Sequence, residues 1–379
     1  MLSKAPELTG GFDDLLTLAA VDELLSRRGL RTPFLRIAKN GQVVSNSRFT
    51  RSGGAGAAIG DQVADDRVLE LFLDGSTLVL QGLHRLWPPL VEFAGQLCAE
   101  LGHPVQVNAY VTPASSRGFS AHYDVHDVFV LQLSGEKRWI VHEPVHPAPL
   151  HDQPWTDHRQ AVAAVANERE PALDTVLCPG DSLYLPRGYL HAAESLGDVT
   201  AHLTVGVHPI TRHAVVEALA ALAAEEPALR ASLPLGVDVS DTAQVGADIA
   251  ATVATLRDWL QTADPEAVAK KLRARLGAAT RQAPIAPLAQ AAAAERVAQD
   301  SAIRLRGRLR PAVRTDGESI VIGLPDRQIS LAPATEPAIR ALIDGGEIVV
   351  GDLPGLPAHE QLALARLLLR EAVVVPVPS

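Results

Sequence analysis

The stretch from Val105 to His208 alternates short β-branched and aromatic runs with Gly and Pro turns, and this pattern limits the folds open to the chain. Several short strands at close spacing, without long helices between them, are typical of an antiparallel sandwich or barrel. A more polar insert at about 150–172 is expected to hold a short helix. We therefore predict a mainly β core. Its four runs are VQVNAYVTP, DVFVLQLSGEKRWIVHEP, DTVLCPGDSLYLPRGYLHAAES and VTAHLTVGVHP.

The segments that flank this core are helical or mixed. The N-terminal part predicts one or two amphipathic helices ending at Gly29, and KNGQ in the following run predicts a hairpin. Residues 211–299 are alanine-rich with helical periodicity and too apolar to stand alone, which predicts a packed bundle. Residues 300–379 mix short helices and strands, a pattern compatible with a winged-helix-like module. The predicted domains are therefore 1–210, 211–299 and 300–379.

Composition narrows the class of protein. A net charge of -10 over 379 residues argues against a broad nucleic-acid surface, because phosphate binding needs clustered Lys and Arg. The two cysteines, Cys98 and Cys178, lie in separate segments and support neither a disulfide framework nor a structural zinc site. The N-terminus shows no signal-peptide pattern, and no apolar run is long enough to cross a membrane. We expect a cytoplasmic protein with no membrane partner.

The six residues HYDVHD, starting at His122, place two histidines and two aspartates directly before an apolar run. On a strand, alternate residues share a face, so His122, Asp124 and His126 would point one way and Asp127 the other. Either a solvated strand edge or a metal site would fit these residues. Asp127 is expected to have a structural role, and His126 remains undecided.

A His-x-Asp pair on a strand can deliver one imidazole and one carboxylate to the same point. A third ligand must then come from elsewhere, and the best candidate is His191 in LPRGYLH, which neighbouring strands of a barrel can bring close. His122, Asp124 and His191 would form a two-His, one-carboxylate facial triad. Such a triad favours Fe(II) and leaves three coordination positions open.

HYDVHDVFVLQLSGEKRW, followed by PGDSLYLPRGYLH, resembles the JmjC-type 2-oxoglutarate oxygenases. Within these, it is similar to the ribosomal oxygenases, the cupin-4 family that hydroxylates ribosomal proteins. The resemblance extends over nearly the whole chain. It implies a double-stranded β-helix core after an N-terminal segment, a helical dimerisation region that makes a homodimer, and a C-terminal winged helix. It also implies that His122, Asp124 and His191 are the iron ligands.

The resemblance implies a cosubstrate pocket as well. Lys137 matches the basic residue that binds the distal carboxylate of 2-oxoglutarate, and a buried dicarboxylate needs such a cation. Asn108 matches an asparagine that hydrogen-bonds the cosubstrate, and Tyr110 follows on the same strand face. His202 matches a histidine near the pocket. Gly206 stands where the family often has a serine, which puts that polar contact in doubt.

The activity implied is hydroxylation of an Arg or His side chain in a ribosomal protein, with Fe(II), 2-oxoglutarate and O2. One alternative is the same chemistry on a small molecule or an RNA nucleoside. Another is a non-catalytic winged-helix regulator. Residues 301–379 carry nine Arg and nine acidic residues, so no direct DNA binding is expected.

Overall fold

A computed structural model describes residues 1–8, 10–39, 41–56, 58–114, 116, 120–324 and 326–377. The chain forms two compact units, Met1–Pro209 and Ile210–Ser379. The first unit ends next to the predicted end of the first domain. The division of the second unit into a bundle and a winged-helix-like domain stays a prediction.

The first unit contains eleven strands and four helices in the part of the chain that is described. Its strands are β1 (Leu2–Ser3), β2 (Leu35–Lys39), β3 (Gln42–Val43), β4 (Thr50–Arg51), β5 (Gln62–Val63), β6 (Thr77–Leu80), β7 (Val105–Thr112), β8 (Asp127–His142), β9 (Leu173–Leu177), β10 (Ser182–Leu185) and β11 (Leu190–Val207). Its helices are α1 (Leu18–Arg27), α2 (Asp65–Leu73), α3 (Pro88–Leu101) and α4 (Arg159–Glu168).

Nine of these strands form one antiparallel sheet, in the order β1-β10-β8-β11-β7-β6-β2-β3, with β9 also paired to β8. The first half of β8 pairs with β10 and the second half with β9. The long strands β8 and β11 pair with each other and so join β9 and β10 on one side of the sheet to β7 on the other. The predicted mainly β core with helices is confirmed, and so are the hairpin at β2–β3 and the short helix α4 in the insert.

Gly135 marks the point where β8 changes partners. Its φ of 63° is in the left-handed region, and a Cβ there would lie 2.4 Å from the carbonyl oxygen of Val199. Glu136 pairs with Leu196 while Ser134 pairs with Ala201, so β11 carries the extra residues at this point. SGE is a local turn signal that would predict a new strand beginning at Lys137, and this prediction is wrong. β8 continues through Gly135 because its partner absorbs the irregularity.

The two faces of the sheet pack against different cores. Leu131 and Leu203 face a large core that also holds buried side chains of α1, α2 and α3. Val130, next to Leu131 along β8, faces a smaller core with Trp139 and Leu183. This alternation follows from the two-residue period of a strand. It leaves the residues that the sequence singled out on the side of the smaller core.

The second unit has four helices followed by six short strands and two more helices, within the residues described. The helix α10 buries Leu364, Ala365 and Leu368 in the unit's core. Its two arginines contact α8: Arg366 donates to the carbonyl oxygen of Ala294, and Arg370 pairs with Glu295. The elements are α5 (Arg212–Ala223), α6 (Thr242–Leu260), α7 (Pro265–Ala279), α8 (Pro287–Arg296), β12 (Ala302–Leu305), β13 (Ala312–Asp316), β14 (Ser319–Gly323), β15 (Gln328–Leu331), α9 (Glu336–Ile343), β16 (Glu347–Val349), α10 (Ala358–Arg370) and β17 (Val374–Pro376).

The helices α5, α6 and α7 correspond to the periodic segments of the sequence, and the strands β13 and β14 pair in antiparallel orientation. Neither dimerisation nor a winged-helix fold is tested by these elements, so both stay predictions. Among the described residues, no helix is both long enough and apolar enough to pass through a bilayer.

Candidate metal centre

His122, Asp124 and His191 come together at one point of the first unit. One ligand atom from each lies within 4.8 Å of the others. Nε2 of His191 is 3.7 Å from a carboxylate oxygen of Asp124, and the two imidazole rings are 4.5 Å apart between centroids. His191 is buried, while 32% of the Asp124 side chain is exposed. The cluster is therefore reached from the side of Asp124 and His122.

The backbone joins the two histidines directly. The amide of His122 donates to the carbonyl of His191 at 3.2 Å, and the amide of His191 donates back at 2.8 Å. This isolated bridge joins His122, which lies outside the strands, to the start of β11. The prediction that HYDVHD forms a strand is wrong, because β8 begins only at Asp127 and the preceding residues turn. The carbonyl of Asp124 accepts from the Gly188 amide, which fixes the second ligand to the same loop as the third.

Each histidine of the cluster is oriented in the same way. Nδ1 of His122 lies 2.8 Å from the carbonyl oxygen of Ser120, and Nδ1 of His191 lies 3.1 Å from that of Tyr189. Since a carbonyl only accepts, Nδ1 carries the proton in both rings and Nε2 keeps its lone pair. This is the arrangement that metal-ligating histidines adopt.

The charge states suit a cation. Burial, and then the neighbouring His122, lower the pKa of His191 to about 4, so this imidazole is neutral at pH 7. Burial acts to raise the pKa of Asp124, but the surrounding histidines outweigh it and the pKa is lowered. When they bind a metal through Nε2, the two imidazoles carry no charge and the carboxylate carries one negative charge. A divalent cation would leave the group at +1 rather than +2.

Tyr123, which lies between two residues of the cluster, is only 1% exposed. It packs with Val162 and Val165 of α4, and its hydroxyl donates to the Gln153 carbonyl at 3.0 Å. The polar insert thus holds the HYD segment in place. The alternation of polar and apolar residues in HYD resembles a strand, but it arises because Tyr123 points into this small core while its neighbours point away.

Lys137 forms a second buried polar group on β8. Only 3% of its surface is exposed, and its Nζ donates to Thr112 Oγ1 at 3.2 Å and lies 3.5 Å from His202 Nδ1. Burial lowers its pKa to about 7. Among the described residues, no carboxylate pairs with this ammonium group. A buried cation without an anionic partner is the arrangement expected of an anion-binding pocket.

Residues 91–215 match the family model described as the JmjC domain. This part of the chain is therefore similar to a JmjC domain. The match includes β7, β8 and β11, and with them every residue that the sequence singled out for the site.

Curated relatives match part of the chain. Ribosomal oxygenase 1 of Rattus norvegicus is 36% identical over 144 residues, which is 36% of this chain and 23% of the rat protein. Ribosomal oxygenase 2 of Mus musculus is 32% identical over 170 residues, 42% of this chain and 35% of that protein. The bifunctional lysine-specific demethylase and histidyl-hydroxylase NO66 of Drosophila pseudoobscura pseudoobscura is 34% identical over 155 residues, 38% of this chain and 15% of that protein. The matches thus span about a sixth to a third of these relatives.

Among solved structures, the ribosomal oxygenase YcfD of Escherichia coli aligns with 100% of this chain and 94% of its own. The TM-score is 0.55 and the identity 16%, so the likeness is one of fold. YcfD has also been solved with cobalt and 2-oxoglutarate; that structure aligns with a TM-score of 0.53 at 16% identity. The likeness in fold covers both units of the chain.

Within residues 91–215, the remaining predicted residues line one sheet face. Tyr110 and His202 are paired across β7 and β11, and their rings stack at 5.0 Å. Burial raises the pKa of Tyr110 to about 12, so its phenol keeps its proton. His202 is packed edge-on against Trp139, and burial followed by Lys137 lowers its pKa well below 6.5. A neutral His202 therefore lies beside the Lys137 ammonium.

Asn108 is partly used by the fold. Its side-chain oxygen accepts from the Gly82 amide at 3.0 Å, so only its NH2 group remains as a donor to a ligand. Asp127 has the structural contact expected of it, because its carboxylate accepts from the Arg187 amide at 2.9 Å.

His126 lies apart from the cluster. Its Nε2 is 3.1 Å from the Gln106 amide nitrogen, and its ring meets that of His208 at 4.7 Å. A Cβ on Gly206 would lie 3.1 Å from His126 and 3.0 Å from Gln106. Because Gly206 has no side chain, these two side chains occupy the space where a serine would stand.

Sequence reasoning missed four residues around the site. Thr112 contacts Lys137, and Trp139 contacts both His191 and His202. Strand parity could have found both, since Thr112 is two residues after Tyr110 and Trp139 is two after Lys137. His208 and Trp155 had no such signal, because one follows the end of a strand and the other lies in an irregular insert.

Proposed function

We propose that this chain is an Fe(II)- and 2-oxoglutarate-dependent protein hydroxylase acting on an Arg or His side chain of a ribosomal protein. The observation that carries the proposal is the convergence of His122, Asp124 and His191 within 4.8 Å in a JmjC domain. The residue roles, a cytoplasmic location and a homodimer belong to the same proposal.

The three side chains fit ferrous iron by their donor chemistry. Two imidazoles and one carboxylate are the ligand set of non-haem Fe(II) oxygenases. In the proposal, His122 and His191 bind through Nε2, because Nδ1 of each is engaged with a carbonyl oxygen. Asp124 provides the carboxylate.

Lys137 would hold the distal carboxylate of 2-oxoglutarate. The pairing supplies the anion that the buried ammonium lacks within the described residues, and it would raise the pKa of Lys137 again from about 7. Thr112 fixes the position of Nζ at 3.2 Å. Asn108 would add a hydrogen bond from its NH2 group, while Tyr110 and His202 form the aromatic wall beside it.

When bound, the metal and 2-oxoglutarate supply the oxidative decarboxylation by which O2 hydroxylates a C–H bond, with succinate and CO2 as co-products. The residues of the chain orient the metal ligands and enclose the site. The bridge between His122 and His191 fixes two ligands relative to each other, and Trp139 packs 6.0 Å from the His191 ring. A site held in this way limits competing reactions and keeps the substrate C–H bond in position.

The substrate class rests on the relatives. The rat and mouse proteins are named ribosomal oxygenases, and the E. coli structure carries the same description. The net charge of -10 would also attract a basic ribosomal protein over a distance.

The test is turnover with purified protein, Fe(II), 2-oxoglutarate and peptides from basic ribosomal proteins. We expect succinate formation that depends on the peptide, with a mass gain of one oxygen on one of its residues. The same gain should be missing from ribosomal proteins of cells that lack the gene. If no ribosomal protein or peptide stimulates succinate formation, the substrate assignment is wrong.

A further inference from the structure

We propose that the aromatic face of Trp155 binds a cationic side chain of the protein substrate, next to the target residue, in the place now taken by Arg159. This inference rests on the proposed function, because it names how the protein substrate is held at that same site. The surface concerned is the whole segment between β8 and β9, residues 143–172, which includes the polar insert and which we call the site insert.

Trp155 stands at the open side of the metal cluster. Its ring is 6.3 Å from the His122 ring, at an angle of 55°. The cluster is reached from the side of His122 and Asp124, whose carboxylate group is partly exposed. A peptide that places a side chain at the cluster must therefore pass close to the half-buried Trp155 indole.

The Trp155 face already holds a cation. The Arg159 guanidinium carbon lies 5.3 Å from the ring centroid, within the range of about 6 Å for a cation–π contact. Arg159 is exposed, and among the described residues its side chain has no ion pair or hydrogen bond. It can therefore leave the ring at little cost, and another guanidinium or ammonium group can replace it.

The charge of the site insert suits such a ligand. It contains five acidic residues and two arginines, a net charge of -3 with its histidines neutral. All five acidic residues are exposed, and Asp152 and Asp157 lie close to Trp155 in the sequence. Ligand cations would be attracted by these carboxylates and then desolvated on the ring. The partner that fits is a basic peptide segment with an Arg or Lys beside the target residue.

The insert is also firmly attached to the metal cluster. Its Val162 and Val165 pack on Tyr123, which sits between His122 and Asp124 in the chain. A substrate residue bound on Trp155 is therefore held in a fixed place relative to the cluster. This is what positioning of a neighbouring target C–H bond requires.

The test compares variants in binding to a synthetic peptide with a central histidine flanked by arginines. A matched peptide has citrulline, which is neutral and nearly isosteric, in place of each arginine. Binding to the full chain is measured by calorimetry in anaerobic buffer, so no turnover is needed. We expect Arg159→Ala to tighten binding of the arginine peptide about threefold, because the internal competitor is gone.

Trp155→Leu should weaken binding of the same peptide about fivefold, and Trp155→Phe somewhat less, since Trp is the best cation–π partner. Asp152→Asn with Asp157→Asn should weaken it about twofold and reduce its salt dependence. Binding of the citrulline peptide should not respond to Arg159→Ala or to the Trp155 variants. Arg159 is exposed and Trp155→Phe keeps an aromatic ring, so neither variant depends on tolerance of a large packing change.

The inference is overturned if Arg159→Ala fails to tighten binding, if both peptides respond alike, or if the arginine peptide does not bind at all. These outcomes are separate from a failure of the proposed function. Binding with the predicted variant pattern but no succinate or hydroxylation would refute the hydroxylase and leave the Trp155 site standing. Hydroxylation of a ribosomal peptide with no effect of the Trp155 and Arg159 variants on its binding would do the reverse.

Discussion

Four histidines lower the pKa of Asp124, and they form two pairs that the fold holds differently. In the inner pair, His122 and His191, each Nδ1 is bonded to the carbonyl two residues earlier. In the outer pair, His126 and His208, the His126 Nδ1 is buried and has no hydrogen-bond partner among the residues that the structure describes. The residue type is the same in both pairs. The backbone contacts of the inner pair are what point its lone pairs at a common centre.

The largest expected effect comes from breaking the inner pair. His191→Ala should weaken Co²⁺ binding by at least about 100-fold and abolish iron-dependent turnover, because one of three ligands is lost. His208→Ala is the matched control from the outer pair and should change Co²⁺ affinity by less than about threefold. The measurement is isothermal titration calorimetry with Co²⁺. Equal losses in the two variants would mean that the pairs do not differ as described.

A second change tests whether the inner pair works independently of the buried cation. Lys137→Met should weaken 2-oxoglutarate binding about 100-fold, since the carboxylate loses its charged partner, and leave Co²⁺ affinity unchanged. Arg138→Met, one residue along, removes an exposed ion pair with Asp174 and should leave both affinities unchanged. If Lys137→Met weakened both Co²⁺ and 2-oxoglutarate binding, the metal ligands and Lys137 would not act independently.

The cosubstrate affinity should also depend on pH. With burial lowering the pKa of Lys137 to about 7, the side chain is charged below that pH and neutral above it. Binding of a carboxylate above pH 7 then requires uptake of a proton, so the apparent Kd of 2-oxoglutarate should rise about tenfold per pH unit from about 8 upwards. Lys137→Arg stays charged and should lose this dependence. Calorimetry in buffers of different ionisation enthalpy measures the proton uptake directly, and a flat profile between pH 7 and 9 would contradict the buried, unpaired ammonium.

The same lowered pKa makes a statement about stability. Lys137 binds a proton more weakly in the folded chain than in the unfolded one, so its cost to folding is fully present below pH 7. The cost is relieved as pH rises from about 7 to about 10.4. At pH 7, Lys137→Met should therefore raise the free energy of unfolding, by on the order of 1–3 kcal/mol. Urea denaturation measures the free energy of unfolding. A lower value in the variant would show that other interactions stabilise the ammonium group in the native state.

The smallest effect is expected at the outer pair. Gly206→Ser would place a Cβ 3.0 Å from Gln106 and 3.1 Å from His126, so these side chains must shift. We expect a loss of about 1 kcal/mol in unfolding free energy with unchanged Co²⁺ affinity. Gly246→Ser in α6 is the control, because a Cβ there meets nothing within 4 Å. A change in metal affinity in the Gly206 variant would link the two pairs.

Local patterns predicted the strands around the site and the two separated segments that carry its residues. Strand parity alone places Lys137 and Trp139 on one face of β8, and Asn108 and Tyr110 on one face of β7, because it depends only on neighbouring residues. The path of HYDVHD did not, since its backbone is set by a bridge to His191 and by burial of Tyr123 under α4. Such contacts join residues distant in the sequence, and no periodicity encodes them.

The continuity of β8 through Gly135 could not be predicted either, for a related reason. SGE is a good local turn signal, but four residues of β11 bulge opposite it and take up the geometry that a turn would have needed. The pairing partner therefore decided between a turn and a bent strand. Trp155 lies in an irregular, proline-containing insert in which histidine spacing carries no information. Its packing near Tyr123 and its 6.3 Å distance from the His122 ring show that it borders the site.

The bridge between His122 and His191 has a consequence for folding. It joins residues 69 positions apart, so the donor atoms meet only after β8, β9, β10 and β11 have assembled. An unfolded chain offers only the local pair His122 and Asp124, so a divalent ion binds the three-ligand site of the native state more tightly. At a free concentration one hundred times its Kd, it would add about 2.7 kcal/mol to the stability of the domain. The lifetime of this protein in a cell would then follow the supply of its metal.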